Sequence, residues 1–217
     1  MTAQYIMKKI YWIVLLVCNA YLLEAQSYRK LHFRSVVIDT HNDILTTAIS
    51  KGYSFDKNLK GKTHSDLARM AEGGIDVQIF SVWCDGTYGP GKAFARANEQ
   101  IDTLYATIQR NPDKIVLTTS PAQLKANLQA GKISAMIGVE GGHMIEDNLS
   151  YLDSLYHRGA RYMTLTWNNS NSWATSAMDE TRHKDSLPHK GLTGFGKEVV
   201  REMNKLGMMV DVSHVGE

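Results

Sequence analysis

"SVVIDTHNDIL", residues 35–45, is the stretch whose reading decides the fold. The run Val36-Val37-Ile38 is apolar and β-branched, which predicts a buried strand. It leads into Asp39, His41 and Asp43, polar groups at alternate positions. In a strand, residues i, i+2 and i+4 share a face. Three ionisable groups on one side of a buried strand end cost free energy unless something pairs with them. A metal ion pairs with all of them: histidine offers a ring nitrogen and aspartate an oxygen, at about 2.0–2.2 Å from zinc. Asp39 is expected to stand behind the metal ligands and orient the histidine. The competing reading is local, because Asp and Asn are also good helix N-caps.

Further strand-like runs follow: 75–83 "IDVQIFSVW", 114–119 "KIVLTT", 133–140 "ISAMIGVE", 162–167 "YMTLTW" and 208–214 "MMVDVSH". Helical patterns separate several of them. In residues 92–110, Phe94, Ala97, Ile101, Leu104, Tyr105 and Ile108 recur at helical spacing before Asn111-Pro112 ends the run. Residues 148–159 and 194–207 show the same spacing, each closed by a glycine and each feeding directly into a strand. Strand–helix repetition with nearly all-apolar strands predicts a parallel sheet covered on both faces. "KIVLTT" reads as an accessory strand.

Polar residues gather at the strand ends. Glu140 closes an apolar run, and His214 ends the last one. The glycines after Glu140 permit close backbone approach, and its two oxygens suit a bridge between metals about 3.5–4 Å apart. Asp211 reads as a hydrogen-bonding group within its strand. Side chains from several strand ends converging on one mouth mark a (β/α)8 barrel. An open doubly wound sheet calls for a glycine-rich loop after its first strand, and "DTHNDIL" is not one. A barrel needs about 250 residues. The chain has 217, and six strand candidates. The expectation is therefore a TIM-type barrel truncated after roughly five or six strands, the N-terminal part of a longer protein. His143 reads as a hydrogen-bonding loop residue, and His32, His64, His157, His183 and His189 as non-ligands.

The N-terminus has a different character. "MKK" at 7–9 precedes the apolar "IYWIVLLVCNAYLL" at 10–23 and then "EAQS". This pattern predicts a secretory signal peptide over 1–25, cleaved after Ala25, with a partial barrel domain over 26–217. The apolar run is short for a span, which needs about 20 residues. The protein is then secreted or periplasmic, and membrane-bound only if lipidated at Cys18. After cleavage Cys84 is the sole thiol, so any metal ligands are histidines and carboxylates. The net charge of +2, with scattered Lys and Arg, gives no basis for a nucleic-acid partner.

"DTHNDIL", "IGVEGGH", "RYMTLTWNNSNSWA" and "GLTGFGKEVVREMNKLGMMVDVSH" together resemble the membrane dipeptidase family, the renal-dipeptidase-like zinc peptidases. The likeness runs in order from about residue 35 to the end. It implies a (β/α)8 barrel with two zinc ions: His41 and Asp43 on the first, Glu140 bridging both, His214 on the second. It also implies a metal-bridging hydroxide that attacks the peptide bond of a dipeptide. The family's remaining zinc-binding His, its Asp near the catalytic water and its substrate-binding Arg are expected beyond residue 217, so the chain alone is expected to be inactive. Trp167 stands where the family carries a substrate-contacting His. Indole offers one N–H donor and no acceptor. That departure leaves open another amidohydrolase or lactonase on the same barrel, or a secreted non-catalytic binding protein. Homodimerisation is also left open.

Overall fold

The structure is a computed structural model that describes the backbone of residues 3–217 and their side chains, except those of residues 3, 6, 16 and 18–27. The chain divides into two compact units, Met1–Val37 and Ile38–Glu217. The first holds one long helix, α1, Ala3–His32. Arg29, Lys30 and His32 occupy its last turn, where cations suit the negative end of the helix dipole. Among the described residues, no helix is long and apolar enough to cross a membrane. The expected cleavage residue Ala25 and the acylation candidate Cys18 lie outside the described side chains.

In the second unit strands and helices alternate. The strands are β1 (Ile38–Asn42), β2 (Val77–Trp83), β3 (Ile115–Leu117), β4 (Ile133–Glu140), β5 (Ala160–Thr164) and β6 (Met209–Asp211). The helices are α2 (Ile44–Lys51), α3 (Leu67–Glu72), α4 (Ala93–Arg110), α5 (Pro121–Gln129), α6 (Leu149–His157), α7 (Ala177–Arg182) and α8 (Gly194–Leu206). All strand pairs in the sheet are parallel, in the order β1-β2-β4-β5-β6. β3 lies off this path. It pairs with Ile133–Ala135 of β4, while β5 pairs with Ile137–Glu140 farther along the same edge. The expected accessory strand is therefore a short splint beside the start of β4.

Local chemistry accounts for the helices. In α4, Ala93, Ala97, Ile101 and Leu104 are buried along one stripe. Asn111 ends the helix, its side chain donating to the Thr107 carbonyl. α8 starts on Thr193, whose hydroxyl accepts from Gly196 N, and ends on Gly207 at φ 75°. α5 escapes the apolar-spacing test because none of its residues is buried. Its signal is the cap, Ser120 followed by Pro121 at the first helical position.

The odd positions of β4, Ile137 and Val139, join Phe80, Val82, Ile101, Leu104, Leu152 and Leu155 in one buried core. Each such side chain contributes about 1.5–3 kcal/mol of burial. By strand alternation Gly138 and Glu140 face the opposite, concave side. The Tyr162 hydroxyl on β5 approaches the Thr40 carbonyl of β1 at 3.4 Å across that side. Strands so far apart in the sheet meet only if it curls, so the sheet forms a half-barrel with Glu140 at the rim of its concave face.

One expectation needs correction. Val36 and Val37 precede β1 rather than forming it, and Ile38 is 50% exposed. An uninterrupted apolar run resembles a strand covered on both sides, but β1 is an edge that pairs with β2 alone.

Candidate metal centre

His41 lies in β1, one residue before the strand ends. Asp39 pairs with Gln78 and Asn42 with Phe80, so three steps along β1 match two along β2. That extra residue is a bulge, which re-aims side chains and breaks strict alternation. The expected role of Asp39 changes with it: its Oδ1 accepts from the His41 backbone N–H at 3.1 Å instead of holding the ring. The cap reading of the motif is realised by Asn42, whose Oδ1 accepts from Ile44 N at 3.0 Å. Asp43 occupies the N-cap position of α2 without a side-chain cap bond. Its carboxylate turns to His41 instead, with Oδ1 3.4 Å from Nε2.

Glu140 ends β4 and is only 7% exposed. Its Oε2 lies 3.2 Å from His41 Nε2 and accepts from the Ser81 hydroxyl at 3.1 Å. Its Oε1 lies 3.1 Å from His214 Nε2. One buried carboxylate thus faces two imidazoles from opposite ends of the sheet, one on each oxygen. The bonds to Asp43 and Glu140 outweigh burial and raise the His41 pKa to about 10. Asp43 is held below the usual carboxylate range by the same bond to His41.

His214 follows β6 and adopts φ 63°, a left-handed conformation uncommon for residues other than glycine. Its carbonyl accepts from Ala177 N at 2.8 Å and from Thr166 Oγ1 at 3.1 Å. Its Nδ1 lies 3.1 Å from Asn168 Oδ1. Asp211, expected as a hydrogen-bonding strand residue, accepts from Thr164 Oγ1 at 2.6 Å and from Ser213 N at 3.0 Å. His41, Glu140, Thr164, Asp211, Ser213 and His214 line one cleft.

The donor set fits divalent cations. His41, Asp43 and Glu140 bring ligand atoms within 4.8 Å of one another. All are imidazole nitrogens or carboxylate oxygens, the ligands that zinc and neighbouring metals take. Cys84 plays no part: it is buried, its thiol points to Met144 Sδ, and burial pushes its pKa up to about 12.

A family model described as membrane dipeptidase, peptidase family M19, matches residues 25–217. The chain belongs to the membrane dipeptidase family. Dipeptidase 3 of Mus musculus is 37% identical over 185 residues, covering 83% of this chain and 36% of the mouse protein. The chain thus spans little more than a third of that relative's length. A probable dipeptidase from Pseudomonas aeruginosa shares the fold with a TM-score of 0.73 at 22% identity, over 88% of this chain and 49% of that one. A metallo peptidase from Rhodobacter sphaeroides, liganded with a phosphinate mimic of the dipeptide L-Ala-D-Ala, gives 0.70 at 22% identity, over 84% and 59%. The half-barrel of this chain, consistent with the expected truncated TIM-type barrel, is the fold it shares with these proteins.

Within this membrane dipeptidase scaffold, Trp167 lies three residues past β5, half-buried, with its ring 4.8 Å from that of Trp83 at an interplanar angle of 61°. Trp83 is the register partner of Glu140, so the indole pair stands beside the carboxylate. A Cβ on Gly141 would come within 3.4 Å of Trp167 Cβ and 2.4 Å of the His143 ring. His143 is the loop residue expected: Nε2 sits 3.0 Å from the Cys84 carbonyl, and burial lowers its pKa. His64 lines a second cleft on the other flank of His41 and Asp43.

The sequence reading passed over Ser81 and Thr166; it singled out Asn168, with Asn169, only as a replacement donor beside Trp167. Ser81 left a signal, a hydroxyl within the apolar run of β2. Thr166 left none, because a threonine in a strand-like run is ordinary and its partner, the His214 carbonyl, is set only by the fold.

Proposed function

We propose that the protein containing this chain is a zinc-dependent dipeptidase that hydrolyses the peptide bond of dipeptides. His41 and Asp43 would hold a first zinc ion and His214 a second, with Glu140 within reach of both. Such a pair would supply Lewis acidity there, making hydroxide available near neutral pH for attack on the peptide carbonyl. The chain's own groups fix the frame: Ser81 orients Glu140, Thr164 and Ser213 hold Asp211 at the cleft wall, and Trp83 with Trp167 limits water on one flank. Trp167 faces substrate. A signal peptide over residues 1–25 directs the protein outside the cytoplasm. The Rhodobacter sphaeroides protein's dipeptide mimic supports the substrate class.

The observation that carries this reading is Glu140, whose oxygens lie 3.2 and 3.1 Å from two different histidines. In the full-length protein His41→Ala and Glu140→Gln are expected to abolish dipeptide hydrolysis. Near-normal rates in both remove the metal centre from the mechanism. Trp167 favours a second reading, hydrolysis of another amide or a lactone, since an indole supplies no acceptor. Turnover of lactones with none on dipeptides selects that reading, and two bound zinc ions without any turnover select a binding protein.

A further inference from the structure

Among the side chains around the cleft, Asn168 has a geometry that the centre as described does not use. The His214 ring is 34% exposed, so packing alone does not fix its plane. Its backbone is fastened, because the carbonyl takes hydrogen bonds from Thr166 and Ala177 and the left-handed φ sets where the side chain leaves the chain. Rotation about Cβ–Cγ remains, and would exchange the positions of Nδ1 and Cδ2. The group that opposes this rotation at the Nδ1 edge is the Asn168 amide at 3.1 Å. The backbone of Asn168 is itself held, its main-chain carbonyl accepting from Ser176 Oγ at 2.8 Å.

We propose that Asn168 is the positioning residue for His214: it takes the Nδ1–H and presents a bare Nε2 to the cation shared with Glu140. A ring nitrogen ligates only without its proton, so a hydrogen bond that keeps the proton on the other nitrogen selects the ligating tautomer. Oδ1 of asparagine is a neutral acceptor and raises imidazole basicity less than a carboxylate in its place. Asn168 therefore acts on the His214 side of the centre and not on the His41 side.

This inference rests on the two-metal reading, and its test separates the two. Zinc titration calorimetry and imidazole ¹⁵N NMR are run on the full-length protein, on Asn168→Leu and on Asn168→Asp. The wild type is expected to bind two equivalents, with the His214 proton on Nδ1 in the loaded form. Asn168→Leu is expected to keep one equivalent at wild-type affinity and weaken the other about 10–100-fold, the usual loss when an orienting partner is removed. Asn168→Asp is expected to match or exceed the wild-type affinity. If the wild type binds no zinc, the centre itself fails. If Asn168→Leu binds both equivalents normally, or loses both in step with its thermal midpoint, Asn168 does not position His214.

Discussion

Gly138 shows how one position shapes the inside of the half-barrel. A Cβ built there would lie 2.0 Å from Tyr162 Cζ, so the tyrosine ring crosses the space a side chain would fill. Tyr162 is partly buried, and burial raises its pKa well above the usual phenol value. Gly138→Ala is expected to destabilise the fold by about 1–3 kcal/mol, the range for forcing extra volume into a packed site. Urea unfolding checks this, and the double variant with Tyr162→Ala should recover part of the loss. Equal losses in the single and double variants would mean that the ring is not what excludes the methyl. The candidate ligands stood out at this scale because ionisable groups at the ends of apolar runs differ from their neighbours. Ser81 and Thr166 are polar without being unusual for a strand, and only the folded partner reveals their use; Asn168 drew notice beside Trp167, but its contact with His214 appears only in the fold.

At the scale of elements, periodicity read α4, α6 and α8 well, because each buries one stripe against the sheet. It read β1 badly, since an edge strand and a central strand can share one apolar run. It also missed the bulge between Asp39 and Asn42, for which spacing in one strand gives no sign. The short helix α3 depends on its cap rather than its length. Asp66 is fully buried, accepts from Arg69 N at 3.0 Å and Leu59 N at 2.9 Å, and pairs with Arg69 Nε at 2.7 Å. Burial alone would raise its pKa, but these donors outweigh burial and hold it below the ordinary aspartate value. A carboxylate with a lowered folded pKa stabilises above the unfolded value of about 3.9, and that stabilisation is lost as pH falls through the folded pKa. Asp66→Asn is therefore expected to cost about 1–3 kcal/mol at pH 7, with the gap to wild type closing as pH falls below about 4. Denaturant titrations at pH 7, 5, 4 and 3 measure it. A gap that stays constant with pH would show that the negative charge contributes nothing.

At the scale of the whole molecule, the candidate ligands come from three strand ends separated by about a hundred and then about seventy residues of chain. β1 and β6 are the two ends of the strand order, and β4 is its middle. On the proposed reading, a cation between His41 and Glu140 and another between Glu140 and His214 would tie both flanks of the sheet to its centre. Zinc that binds the folded protein and not the unfolded chain stabilises by RT ln(1 + [L]/Kd), about 2.7 kcal/mol at a hundredfold excess over Kd. The thermal midpoint is accordingly expected to rise with zinc and fall with chelator, and amide protons of β1 and β6 should exchange more slowly when zinc is present. Variants distinguish the sides. His41→Ala should lose most of the protection at β1 and keep part of it at β6, His214→Ala the reverse, and Glu140→Gln should lose both. Hydrogen exchange with and without zinc reads each strand separately. If Glu140→Gln gains as much protection as the wild type, the shared carboxylate does not join the two sides, and the two-metal arrangement has to be given up in favour of a single site at one edge.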